Sequence, residues 1–100
     1  MTLTIRELPR IDRPRERLVD LGPQALATSE LLAILLGAGG PGRSALTVGQ
    51  EVMRSAEGSL RRLSARPVAD LTLLLGIGRA RAAVIHAALE LGRRMAAESR

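Results

Sequence analysis

The sequence contains no cysteine, no lysine, and no phenylalanine, tyrosine or tryptophan; its one histidine is His86. Each absence excludes something. Without cysteine there can be no disulfide and no thiolate-bound zinc. Without those rings the core must be built from Leu, Ile, Val, Ala and Met, which suits helices packed over small residues better than a β-sandwich. No apolar run approaches the roughly 18 residues of a membrane span, and the N-terminus lacks the apolar stretch of a secretory signal. These features point to a cytoplasmic protein with no membrane association. The missing lysine leaves all 15 positive charges on arginine. Arg is well shaped for bidentate phosphate contact, yet a uniform lack of Lys reads as coding bias, not as selection for phosphate.

What is present is enough for one domain. The chain has 100 residues, of which 46% are hydrophobic, so a single aliphatic core is within reach. The formal net charge of +5 and a pI of about 11.6 favour an anionic partner, but they are silent on fold.

Punctuation along the chain predicts an all-α fold, a compact bundle of five or so short helices. Residues 1–12 form an N-terminal arm interrupted by Pro9, and residues 13–100 form the domain. Pro14 opens a first helix that runs to Leu21, where Gly22-Pro23 stops it. After a turn through Gln24, Ala25 and Leu26, Thr28 or Ser29 is placed to cap a helix over Leu31 to Leu36. That helix is apolar almost all round and is expected to be buried. A glycine-rich loop from Gly37 to Arg43 follows. Ser44 then caps a helix whose stripe is Ala45, Val48, Gly49, Val52, Met53 and Ala56. Gly58 ends it, Ser59 caps a short turn through Leu60 and Leu63, and Pro67 starts a helix carrying Val68, Leu71, Leu74 and Leu75. The last helix runs from about Arg79 to Ala97. Its expected core face is Ala80, Val84, Ala87, Ala88, Leu91 and Met95, widened by Ile85 and Leu89; Arg79, His86, Glu90 and Arg93 fall on the solvent side.

The stretch Leu75-Gly76-Ile77-Gly78 is the most informative. Two glycines allow a tight turn and a close approach of another backbone, and Ile77 between them can plug into the core. The turn runs straight into a helix N-terminus, where N–H groups and the positive end of the dipole attract an anion. Gly76, Ile77, Gly78, Arg79, Ala80 and Arg81 thus form a candidate phosphate site of amides plus guanidinium groups. It needs no base edges, so binding would be sequence-independent. The plain alternative is a hairpin whose glycines only let two helices pack closely.

A weak repeat accompanies it. Leu36-Gly37-Ala38-Gly39 aligns with Leu75-Gly76-Ile77-Gly78, Leu32 with Leu71 and Leu35 with Leu74. The first copy is lengthened by Gly40 to Arg43. Gly37, Gly39, Gly42, Arg43 and Ser44 are therefore a secondary DNA-binding candidate, and equally a long connector. Two such hairpins would pack as a tandem pseudo-repeat around one core.

The hairpin resembles the helix-hairpin-helix motif of DNA repair and recombination proteins, with Leu75 standing where Pro is often found. From about Arg13 to Arg94 the chain resembles the N-terminal region of the bacterial RadC family. The matching pieces include Arg13-Pro14-Arg15-Glu16-Arg17-Leu18, Glu30-Leu31-Leu32-Ala33-Ile34-Leu35-Leu36, Gly42-Arg43-Ser44, the hairpin, and Ala88-Leu89-Glu90-Leu91-Gly92-Arg93-Arg94. The resemblance implies a DNA-binding helix-hairpin-helix domain. In that family it precedes a C-terminal JAMM-type metalloprotease-like domain whose zinc ligands include His-x-His; with His86 alone, no such ligand set exists here.

Two function classes follow. One is a non-specific binder of duplex or branched DNA; the other is a domain that docks on a metalloprotease-like domain or another protein. An enzyme is not expected, since the chain shows no carboxylate pair, no nucleophile–His pairing and no Walker loop. No cofactor or metal is expected either. His86 and the arginines at 10, 13, 15 and 17 read as solvated surface, while Arg61, Arg62 and Arg66 are candidates to extend a basic patch.

Overall fold

Proline fixes φ near the helical value and needs no N–H partner at a helix start, and Pro14 duly opens the first helix. A computed structural model describes residues 13–37, 42–73 and 77–98. Helix α1 spans Pro14–Leu21. Gly22 ends it at φ 91°, donating its N–H to the Leu18 carbonyl at 2.9 Å. A short 3₁₀ turn, Pro23–Ala25, then carries the chain to buried Leu26.

Helix α2 spans Thr28–Leu36. It starts earlier than its apolar residues suggest, and neither Thr28 nor Ser29 is its cap. The N-cap position belongs to Ala27, which has no side-chain acceptor; the Glu30 carboxylate instead accepts the Ala27 N–H at 2.9 Å. Glu30 also pairs with Arg17, whose Nη2 donates to the Ala25 carbonyl at 3.0 Å. One carboxylate thereby closes the start of α2 and ties it to α1. Leu32, Ala33 and Leu36 are buried, but Leu35 is exposed. Helices α1, α3 and α6 contact α2 without covering it on every side, so the expectation of burial all round does not hold.

Helix α3 spans Ala45–Ser55, with Ser44 as its cap: its hydroxyl accepts the Thr47 N–H at 3.1 Å. The expected stripe is the one buried, through Ala45, Val48, Gly49, Val52 and, just beyond the helix, Ala56, with Met53 packed at the edge. After Glu57 at φ 55°, Gly58 at φ 77° donates to the Met53 carbonyl at 2.8 Å and closes the helix end. Helix α4, Leu60–Ala65, is capped by Ser59 and buries Leu63 completely. Helix α5, Val68–Thr72, follows Pro67 and buries Leu71.

Helix α6 spans Arg79–Ala97, and here the sequence reading of its face is corrected. The residues against the core are Ala82 and Ile85, with Leu89 at its edge. Ala80, Val84, Ala87, Leu91 and Met95 are exposed, and Ala88 is half-buried. The helix carries two apolar arcs, and the rest of the chain packs on the narrower one. His86 moves the other way. It lies in a groove with Ser64, Leu89, Glu90 and Arg93, and its Nε2 is buried without a hydrogen-bond partner.

The core gathers residues from every helix after α1: Leu32 and Leu36 of α2, Val48 and Val52 of α3, Leu63 of α4, Leu71 of α5, and Ala82 and Ile85 of α6, with Ile77 just before the last. Leu32 and Leu71, equivalent in the repeat, are both buried in it. Among the described residues there is no strand, and no helix is long and apolar enough to cross a membrane. The arm expected over residues 1–12 lies outside the described residues.

Candidate nucleic-acid interface

Helix α6 is the longest in the fold, and its N-terminus is the centre of the candidate site. Ile77 is buried in the core, as its place between two glycines suggested. Gly78, the next residue, is exposed and is the N-cap of α6. Its carbonyl accepts the first bond of the helix, from the Ala82 N–H at 2.9 Å. The N–H groups of Arg79 and Ala80 precede that ladder, so the helix itself does not use them. No described side chain caps this end, in contrast with α3 and α4, where a serine does so.

Gly78 is not a glycine for reasons of backbone angle. Its φ is −93° and its ψ 176°, an extended conformation open to any residue. A β-carbon there would meet nothing within 4 Å. What a glycine provides here is access: an unobstructed approach to the first turn of a 19-residue helix. Arg79 is exposed at that turn, and Arg81 is half-buried. Gly76 lies outside the described residues.

The secondary candidate is arranged differently. Gly37 ends α2 at φ 75°, donating to the Ala33 carbonyl at 3.0 Å, and Gly42 sits at φ 70°. Both need the left-handed region that favours glycine. Arg43 turns inward and pairs with Glu51 of α3, with its Nη1 buried and unpartnered. The Ser44 hydroxyl is committed to the cap. Arginine and N-terminus are therefore both engaged within the fold, unlike their counterparts at α6. Gly39 lies outside the described residues.

One grouping escaped the sequence reading. Arg13, Arg15 and Glu16 at the start of α1 line an open depression of about 310 Å³ with Ala33, Ile34 and Gly37. The spacing between Gly37 and Arg13 gave no signal of this; it arises because α1 packs on α2. Toward the far end of α6, Glu90 accepts hydrogen bonds from Arg93 at 2.8 and 2.9 Å and from Arg94 at 2.9 Å. Arg93 above all, and then Arg94, hold the Glu90 carboxyl down at about 2 against an ordinary 4.5. Among the described residues, no group of three His, Asp or Glu side chains is placed to hold a metal ion.

Residues 5–83 match the protein family described as UPF0758 N-terminal. The chain belongs to the UPF0758 family. A UPF0758 protein of Moorella thermoacetica is 50% identical over 95 residues, covering 95% of this chain and 41% of that protein. One from Geobacillus thermodenitrificans is 47% identical over 95 residues, again 95% of this chain and 42% of the relative. A third, from Porphyromonas gingivalis, is 40% identical over 94 residues, 93% of this chain and 41% of the relative. The chain thus spans about two fifths of the length of these UPF0758 relatives. No solved structure matches it.

Proposed function

We propose that this UPF0758 domain binds DNA without regard to sequence, holding a backbone phosphate on the N-terminus of α6. The amides of Gly78, Arg79 and Ala80 face the phosphate, and Arg79 and Arg81 add guanidinium charge. One observation carries the reading: the end of the longest helix is uncapped by any described side chain and open at Gly78, where nothing in the backbone requires a glycine. The net charge of +5 and the resemblance to RadC-type helix-hairpin-helix domains support it. On the same reading, the length these relatives have beyond this chain accommodates the JAMM-type domain that the RadC resemblance implies.

Fluorescence anisotropy with short duplex, branched and single-stranded DNA tests the proposal. Binding is expected to weaken with salt at a log–log slope of about −0.9 per phosphate neutralised, and to fall sharply in the Arg79→Ala, Arg81→Ala double variant. No binding at low salt in the tens-of-micromolar range, where non-specific binders register at roughly 10⁻⁴–10⁻⁶ M, would refute it.

A further inference from the structure

The outer face of α6 has an unusual internal order. Ala80, Val84, Ala87, Ala88, Leu91 and Met95 lie along one side of the helix, with Val84, Leu91 and Met95 at 42%, 67% and 72% exposure. Their spacing is that of a helix-packing face, yet the chain's own core covers the other arc. The order of sizes along this stripe is symmetric in a particular way. Ala80 and Met95, Val84 and Leu91, and Ala87 and Ala88 are three pairs that share one midpoint. Laid antiparallel against its own copy about that midpoint, the stripe sets small against large at each end and alanine against alanine at the centre. That is the interdigitation that close helix packing requires.

We propose that this face pairs with the same face of a second copy of the chain, the two α6 helices antiparallel about a two-fold axis beside Ala87 and Ala88. The interface is isologous, each stripe being complementary to itself. The parallel alternative sets Met95 on Met95 and Ala80 on Ala80, crowding one end and leaving a gap at the other. Charge agrees with the antiparallel arrangement. On a 100° wheel Arg81 lies on one edge of the stripe and Arg94 on the other, and two-fold pairing brings each edge against itself. Like residues then stand about 20 Å apart at 1.5 Å rise per residue, beyond the roughly 8–10 Å screening length of ordinary buffers. The stripe is about 22 Å long and one helix wide, smaller than the ~800 Å² per partner of a standard stable interface. The dimer is therefore weak and concentration-dependent.

Sedimentation velocity on the whole chain from ~10 µM to ~1 mM covers the range in which sub-standard interfaces assemble. The weight-average mass is expected to climb toward that of a dimer, and the Leu91→Glu variant to stay monomeric with an unchanged helical circular dichroism signal. Register is read by cysteines placed in a chain that has none. Ala88→Cys should oxidise readily to a covalent dimer. Ala80→Cys should not, yet should cross-link to Met95→Cys when the two are mixed. A chain monomeric throughout, a Leu91→Glu variant that associates like the parent, or Ala80→Cys dimers forming as readily as those of Ala88→Cys would each overturn the proposal.

Discussion

Gly49 stands directly against the backbone carbonyl of Ser29: a β-carbon there would come within 2.6 Å of that oxygen. This contact sets how closely α3 approaches α2. Gly49→Ala should force the two helices apart and cost about 1–3 kcal/mol, as overpacking does. Gly92→Ala is the matched control, since Gly92 sits inside α6 with nothing within 4 Å. It should gain about 0.5–1 kcal/mol. Urea denaturation of the two variants should show midpoints moving in opposite directions.

Glu30 performs two tasks with one carboxylate, accepting the Ala27 N–H and pairing with Arg17. Glu30→Ala removes both and should cost about 1–2 kcal/mol. Glu30→Gln keeps an acceptor for the amide and should cost less. Thermal melts should separate the two, since about 1 kcal/mol moves the midpoint of a domain this size by roughly 4–8 °C.

At Gly78 stability and binding are expected to pull apart. The backbone there, φ −93° and ψ 176°, is close to that of Ser44 at −80° and 161°, which caps its helix. Gly78→Ser should turn its hydroxyl onto the first turn of α6 in the same manner. Stability should rise by a few tenths of a kcal/mol, while DNA affinity falls because the cap now occupies the anion's place. If affinity in the anisotropy titration is unchanged, the end of α6 is not the phosphate site.

The depressed Glu90 pKa gives a pH signature. Its value in the folded chain, about 2, lies below the ordinary 4.5, so its pairing favours the folded state above about pH 4.5. That contribution drains away as the pH falls through the window toward 2. All three side chains are well exposed, so the effect on stability is small and salt-sensitive. Carboxyl NMR should report the titration directly, and Arg93→Gln should move the midpoint back up.

Much of this fold was written in local signals. Pro14, Ser44, Ser59 and the glycines at 22 and 58 act within a few residues of themselves, and the helix boundaries they mark are found where expected. The buried stripe of α3 was equally plain, because only one of its faces is apolar. Helix α6 was harder. It has two apolar arcs, and periodicity cannot say which one the remaining chain will cover; the arc of Ala82, Ile85 and Leu89 was taken, and the larger one left outside. The cap of α2 was misread for a related reason. Thr28 and Ser29 are good caps in isolation, but Glu30, tied to Arg17 of another helix, draws the start back to Ala27. At the candidate site, the plug formed by Ile77 was legible from its flanking glycines. The inward turn of Arg43 was not, since it depends on where Glu51 comes to lie.

The burial of Ile77 beside the exposed Gly78 has a thermodynamic consequence. The hairpin cannot hold its geometry unless the core that receives Ile77 is assembled, so an anion on the α6 amides recognises only the folded chain. Ligand and fold are then linked by mass action. DNA at about a hundred times its dissociation constant should add roughly 2.7 kcal/mol to unfolding. Conversely, an Ile77→Ala variant that loosens the core should forfeit affinity in proportion to the fraction of molecules it unfolds, without having touched a phosphate.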